Sequence, residues 1–223
     1  MRREPDLAAL AALIGDPARA RILMALMSGV ALTATELAIE ANVAPSTASS
    51  HLGKLTDAHI VELEKQGRHR YFRLADADIA EVLEELTGLA AQLPGTRRGP
   101  ADPALRAARV CYDHLAGERG VWLLDTLRSR NVLTGRDGST VSSHGEAFFT
   151  RFGIDLDTLA KSRRTLCRLC LDWSERRHHL GGALGAAILD RMFALKWARR
   201  ELDSRAVVFS RELDQALVDL LNA

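Results

Sequence analysis

The chain has 223 residues, with 30 Lys+Arg against 29 Asp+Glu, and 47% of it is hydrophobic. That is apolar enough to bury a core and too apolar for a disordered tail, and the length fits two modules of about 100 residues. No stretch approaches the ~18 uninterrupted apolar residues of a membrane helix, and Met1-Arg2-Arg3-Glu4-Pro5-Asp6 lacks the apolar region of a signal peptide. Three cysteines make no even-numbered disulfide framework, so the expectation is a cytoplasmic globular protein with no membrane role and no structural disulfide.

The segment from Leu93 to Pro103 packs Pro94, Gly95, Gly99, Pro100 and Pro103 into eleven residues and cannot continue a helix. It divides the chain into a module at 1–93, a linker at 94–103 and a second module at 104–223. Residues 1–93 hold 9 Lys+Arg and 13 Asp+Glu, and 94–223 hold 21 and 16. No period of 20–50 residues repeats, apart from a faint echo between Ser139-Thr140-Val141-Ser142 and the segment Arg205 to Ser210.

Leu7, Leu10, Ala11, Leu13 and Ile14 follow helical spacing and stop at Gly15-Asp16-Pro17, which supplies a stop, an N-cap and a proline for the next helix. That second helix runs to about Met27. A short helix over Thr35–Glu40 is separated by Asn42-Val43-Ala44 from a fourth that begins at Pro45, the spacing of a helix-turn-helix. The fourth helix is crowded with hydroxyl side chains, poor helix formers that are useful when they hydrogen-bond something. Leu52 and Leu55 define its buried face, leaving Ser46, Thr47, Ser49, Ser50, His51 and Lys54 to project where a recognition helix meets bases and phosphates. Two alternating runs, Ile60–Glu64 and Tyr71–Leu74, flank Lys65-Gln66-Gly67-Arg68-His69-Arg70 as a basic wing. Within 45–74 there are five Lys+Arg against three Asp+Glu, so the local surface is more basic than the module.

Three segments in order, Gly15 to Leu23, Ser46 to Leu55 and Gly67 to Leu74, make the chain resemble the ArsR family of winged-helix repressors over nearly all of residues 5–92. The resemblance implies DNA binding, with Lys54, Arg68 and Arg70 on phosphates, Gln66 and His69 beside them on the wing, and Ser46, Thr47, Ser49, Ser50 and His51 reading bases. It also implies a homodimer built on the first helix and on the helix Asp76–Leu93, whose Ile79, Val82, Leu83, Leu86, Leu89 and Ala90 form a stripe equally compatible with plain core packing. A dimer of this kind prefers a pseudo-palindromic operator on double-stranded DNA. His59 stands where the family commonly has glycine, and His tolerates a left-handed backbone better than most residues. The metal-ligand patterns of the family are missing from the first module: Thr33 to Ala38 holds no thiol and Asp76–Leu93 no His.

The second module reads as mostly helical with short strands, which makes the whole chain mainly α in an α+β arrangement. The expected elements are helices over Pro103–Glu118 and Val121–Ser129, a hairpin around Arg136-Asp137-Gly138, and a helix after Ser143 with a capping box to Glu146. Helices over Leu159–Leu171 and Leu180–Arg200, a strand over Ala206–Phe209 and a helix over Glu212–Leu221 complete it, a set compatible with a second winged-helix-like fold. Cys111 and His114 would lie three apart on one helical face, as would Cys167 and Cys170. If the two helices meet, these four residues make a site for a thiolate-bound metal or arsenic(III), or an oxidisable dithiol. Two other readings stand beside that one: buried cysteines acting as small hydrophobes, and an organic-ligand pocket lined by Trp122, Trp173 and Trp197. Arg176-Arg177-His178-His179 reads as a solvated, ion-paired face.

The module carries no glycine-rich phosphate loop, nucleophile elbow or zinc-protease helix pair, so no enzymatic role is expected. The reading is a homodimeric DNA-binding regulator, a repressor released by an effector sensed in the C-terminal module. The alternative is a ligand-binding or protein-interaction module that keeps the winged fold without specific DNA binding.

Overall fold

The computed structural model describes residues 4, 6–95, 99–135, 137–162, 164–202 and 204–210. The chain splits into two compact units, Met1–Leu83 and Glu84–Ala223. The division falls ten residues before the Pro- and Gly-rich segment because Glu84, on the helix that ends the first module, is 3% exposed and is buried among groups of the second unit.

The first unit contains α1 (Leu7–Ile14), α2 (Pro17–Leu26), β1 (Leu32–Thr33), α3 (Ala34–Ala41), α4 (Pro45–Asp57), β2 (Val61–Gln66) and β3 (His69–Leu74), followed by α5 (Ala77–Ala90), which crosses the division. Asp16 caps α2 through the backbone N–H groups of Ala18 and Arg19, each 3.0 Å away, with Pro17 in the first turn. The helix α3 starts one residue earlier than the sequence suggests because Thr33 caps it. Glu36 N–H donates to Thr33 Oγ1 at 3.3 Å, and Thr33 N–H donates back to Glu36 Oε2 at 2.7 Å. His59 adopts φ +57, and Ile60 N–H then reaches Leu55 O at 2.9 Å to close the end of α4.

The antiparallel sheet has the order β1-β3-β2, so β1 adds a third strand that two-residue length hid from periodicity. Gln66 pairs with His69 across a two-residue turn in which Gly67 takes φ +60. Ile22, Leu23, Leu26, Met27, Leu37, Leu52, Leu55 and Leu74 are each almost fully buried and form this unit's core. By contrast α1 contributes no buried residue, and Leu7, Leu10, Val82, Leu86 and Leu89 are exposed.

The second unit holds α6 (Pro103–Ala107), β4 (Arg109–Cys111), β5 (His114–Ala116), α7 (Glu118–Ser129), β6 (Leu133–Thr134), β7 (Thr140–Val141), α8 (Ser143–Phe152) and α9 (Leu156–Ala160). It continues with β8 (Arg168–Leu171), β9 (His178–Gly181), α10 (Gly182–Ala194), β10 (Ala198–Arg200) and β11 (Val207–Phe209). Three expected helices are corrected: Pro103–Glu118 is α6 plus the hairpin β4-β5, Leu159–Leu171 is the end of α9 plus β8, and Leu180–Arg200 begins and ends in strand. Alternation was masked because both faces of these hairpins are buried: Val110, Leu115, Leu169 and Leu180 pack into the apolar core, while Arg109, Cys111, His114 and His179 are buried on the opposite face. Ser142, not Ser143, caps α8, accepting from Gly145 N–H at 2.9 Å. The expected helix Glu212–Leu221 lies outside the described residues.

Among the described residues of the second unit, the strands pair as four antiparallel hairpins, with Arg109 of β4 bridged to Ala206 beside β11, instead of the single wing sheet of a second winged helix. They follow one another as β4-β5-α7-β6-β7 and then β8-β9-α10-β10-β11, the same order twice. His114-Leu115-Ala116-Gly117 and Gly120 recur as His179-Leu180-Gly181-Gly182 and Gly185, an offset of 65 residues. Gly117 and Gly182 take φ +82 and +76 at the start of their helices. A Cβ on Gly120 would lie 2.5 Å from Leu115 O and 3.3 Å from His179 Cβ; on Gly185 the distances are 2.3 Å to Leu180 O and 3.3 Å to His114 Cβ. Each glycine thus lets its helix lie on its own hairpin while touching the other half's histidine. The second unit is an internal duplication, and the echo between Ser139–Ser142 and Arg205–Ser210 is its trailing hairpin.

Candidate functional site

Two sites emerge, one in each unit. On α4, Ala48, Leu52 and Leu55 are buried, which turns Ser46, Thr47, Ser49, Ser50 and Lys54 outward. Ser49 Oγ donates to Pro45 O at 2.9 Å, and the N-cap Ala44 offers no side-chain bond to the first N–H groups of the helix. Gln66, Arg68, His69 and Arg70 are all exposed at the hairpin tip. Arg73 is drawn instead to Glu62, 3.4 Å across the strand pair.

His51 behaves differently from its neighbours. Its side chain is 13% exposed, Nδ1 lies 3.2 Å from Arg19 Nη1, and Nε2 lies 3.9 Å from Asp16 Oδ1. Arg19 in turn donates to the backbone oxygens of Leu13 and Ala12 at the end of α1. His51 therefore fastens α4 to the α1–α2 junction and is not among the side chains that project from the helix.

In the second unit, Cys111 and His114 are cross-strand partners in β4-β5, and Cys170 and His179 are cross-strand partners in β8-β9. Opposed residues on one hairpin present their side chains on the same face. Their four ligand atoms all lie within 4.8 Å of one another. Cys111, His114 and His179 are buried, and Cys170 is partly so. Nε2 of His114 stands 3.2 Å from Nε2 of His179.

The far nitrogen of each ring faces a carboxylate. His114 Nδ1 is 3.1 Å from Asp113 Oδ1, and Asp113 also pairs with Arg164. His179 Nδ1 lies 3.3 Å from Asp172 Oδ2, a contact whose alignment falls short of a hydrogen bond. Asp172 is fully buried and accepts Arg109 Nη2 on both oxygens at 3.0 Å, Gly117 N–H at 2.7 Å and Ser174 Oγ at 2.6 Å. Burial pushes its carboxyl up, but His179, Arg109 and Ser174 outweigh that and hold it ionised. Arg109, 1% exposed, is thereby neutralised and lies over the Trp173 ring at 5.5 Å.

Within the cluster, the hydrogen bond from the Cys111 thiol, aided by His114 and His179, lowers the Cys170 pKa against the pull of burial. The same bond, together with burial, raises Cys111. Burial alone would lower His114, but Asp113 and the Cys170 sulfur carry it up to about 9. Burial raises the Glu84 carboxyl above its ordinary value, and the Cys170 charge adds to the effect against Arg109 and His179.

Of the residues expected to assemble here, Cys111, His114 and Cys170 come together, on strands and not on helical faces. Cys167 does not. It precedes β8, packs against the unit's core, and has its thiol pushed up to about 11 by burial and then by Asp137. His179 takes the fourth place, while Arg177 pairs with Asp125 on the surface and His178 is exposed. The signal that would have found His179 was the recurrence of His-Leu-(Ala/Gly)-Gly. Trp122 stacks under Arg119, Trp173 under Arg109 and Trp197 on Phe152, so each of the three indoles has its own stacking partner.

A helix-turn-helix domain model matches residues 14–64. The uncharacterized HTH-type transcriptional regulator YdfF of Bacillus subtilis (strain 168) is 44% identical over 206 residues, covering 91% of this chain and 91% of its own. The HTH-type transcriptional regulator CmtR of Mycobacterium tuberculosis (strain ATCC 25618 / H37Rv) is 38% identical over 84 residues, 38% of this chain and 70% of that protein. Among solved structures, the cadmium metal-sensor CMTR from Mycobacterium tuberculosis is 32% identical, covering 44% of this chain and 95% of its own with a TM-score of 0.33. The homodimeric winged helix-turn-helix DNA-binding domain Mb0332 from Mycobacterium bovis, a possible ArsR-family regulator, is 24% identical over 41% of this chain and 92% of its own, TM-score 0.32. With a relative matching along nearly its whole length, and with the winged helix its motifs predict, the chain belongs to the family of HTH-type transcriptional regulators.

Proposed function

We propose that this protein is a homodimeric, sequence-specific DNA-binding repressor of the cytoplasm, without enzymatic activity, released from its operator by an effector that the second unit senses. The observation that carries the reading is the outward row of Ser46, Thr47, Ser49, Ser50 and Lys54 on α4 beside the exposed Gln66, Arg68, His69 and Arg70 of the wing. Hydroxyls read base edges, while Lys54, Arg68 and Arg70 anchor phosphates, helped by the uncapped N–H groups at the start of α4. The exposed apolar side chains Leu7, Leu10, Val82, Leu86 and Leu89 support self-association, since α1 buries nothing within one chain. A two-fold dimer would take a pseudo-palindromic operator with half-sites about one helical turn apart.

Titrating the full chain onto its own upstream DNA at several salt concentrations tests this. A steep fall of affinity with salt, together with preference for one sequence, is the expected outcome; salt-independent binding, or none, would overturn the DNA reading in favour of a protein-interaction module.

A further inference from the structure

We propose that Cys111, His114, Cys170 and His179 bind one thiolate-preferring divalent cation of the zinc class, one Cys–His pair coming from each half of the duplicated unit. The proposal concerns the second unit alone and does not depend on DNA binding. A tetrahedral ion with metal–nitrogen bonds of about 2.0–2.1 Å and metal–sulfur bonds of about 2.3 Å needs donors about 3.3–3.8 Å apart. The two Nε2 atoms are already 3.2 Å apart, and no donor pair exceeds 4.8 Å. The hairpin register explains this closeness: each Cys faces its own His across a strand pair, and Gly120 and Gly185 admit the histidine of the opposite half at a Cβ distance of 3.3 Å.

The imidazoles are held as ligands usually are, with the outer nitrogen beside a carboxylate and the inner one aimed at the centre. Two thiolates and two neutral imidazoles balance a divalent ion, so the loaded cluster carries no net charge into the interior. Oxygen-seeking cations find too few oxygens there, and two thiolates with two imidazoles suit a borderline divalent ion better than arsenic(III). Four protein donors leave no open position, which makes the site a clamp between the halves and not a hydrolytic centre. Cys170, the least buried of the four, marks the side from which the ion enters.

The test uses the full chain, reduced and stripped of metal, titrated first with cobalt(II) and then with zinc(II). The expected result is one equivalent of cobalt per chain with the intense visible absorption of a tetrahedral, thiolate-ligated ion, displaced by zinc, and a rise in melting temperature on loading. Cys167→Ser should match the parent, whereas Cys170→Ser and His179→Gln should lose that spectrum at one equivalent. Asp113→Asn, which keeps all four donors, should weaken binding about 10–100-fold. Circular dichroism on each ligand variant separates loss of the site from loss of the fold, and the parent's own stoichiometry and spectrum decide the matter without them. No cobalt uptake by the folded parent, a weak octahedral spectrum, equal loss in Cys167→Ser, or a Cys111–Cys170 disulfide persisting in reductant would each overturn the proposal.

Discussion

Thr33 shows how much a single side chain can decide. Its hydroxyl accepts the Glu36 N–H, and its own N–H and hydroxyl both donate to the Glu36 carboxylate at 2.7 Å. Thr33→Ala should therefore cost about 1 kcal/mol in urea unfolding. The backbone N–H of Thr33, and then its hydroxyl, hold Glu36 below its ordinary value of 4.5. A carboxyl depressed in the folded state contributes stability that is complete above the ordinary value and lost as pH falls through the depressed one. Thermal melts of the parent should thus decline on acidification below about pH 4.5, and this part of the decline should be missing in Glu36→Gln. On the wing, Arg68→Ala with Arg70→Ala should weaken binding to all DNA sequences alike and reduce the salt slope by about 2; unchanged binding would remove the wing from the interface. His51→Ala, set between Arg19 and Asp16, should lower stability more than it alters sequence preference, read by comparing melts with competition against mismatched operators.

At the scale of elements, the glycines of the two helix starts are the sharpest test of the duplication. A Cβ on Gly185 would sit 2.3 Å from a backbone oxygen, so Gly185→Ala should cost about 1–3 kcal/mol or more, with Gly120→Ala alongside it. Gly53→Ala on α4, where a Cβ meets nothing within 4 Å, should gain up to about 1 kcal/mol. Denaturant curves on the three variants separate these outcomes. The sequence also shows why one half of the molecule was more legible than the other. In the first unit, Asp16-Pro17, the hydroxyl-rich stretch before Leu52 and the Gly67 turn are local signals, and local signals survive without knowledge of the fold. In the second, Cys111 and His114 are three apart, which suits a helix, but they are joined by a two-residue turn with Tyr112 at φ +59, which nothing in the spacing announces. His179 was obscured in the same way, by an arginine-rich neighbourhood that looks like surface, although the buried Asp172 and Arg109 neutralise each other beside it. Burial of polar groups is a tertiary fact, and periodicity does not encode it.

For the molecule as a whole, the exposed apolar side chains of α1 and α5 bear on assembly. Leu86 is 39% and Leu89 61% exposed, and neither contributes to a core within one chain. Leu86→Glu with Leu89→Glu should convert a dimer into a monomer in light scattering while leaving the fold intact by circular dichroism; a dimer that survives would move the interface elsewhere. Duplication within one chain has a further outcome, which is a matter of concentration. Had the two hairpin–helix halves been separate chains, a four-donor cluster between them would form only when two molecules met, and its formation would fail on dilution. Joined by some fifty residues of helix, hairpin and turn, the second Cys–His pair is held near the first at an effective concentration far above that of the protein itself. The cluster should therefore assemble equally well in a dilute cell and in a concentrated sample, and stay indifferent to whether the winged helices are paired.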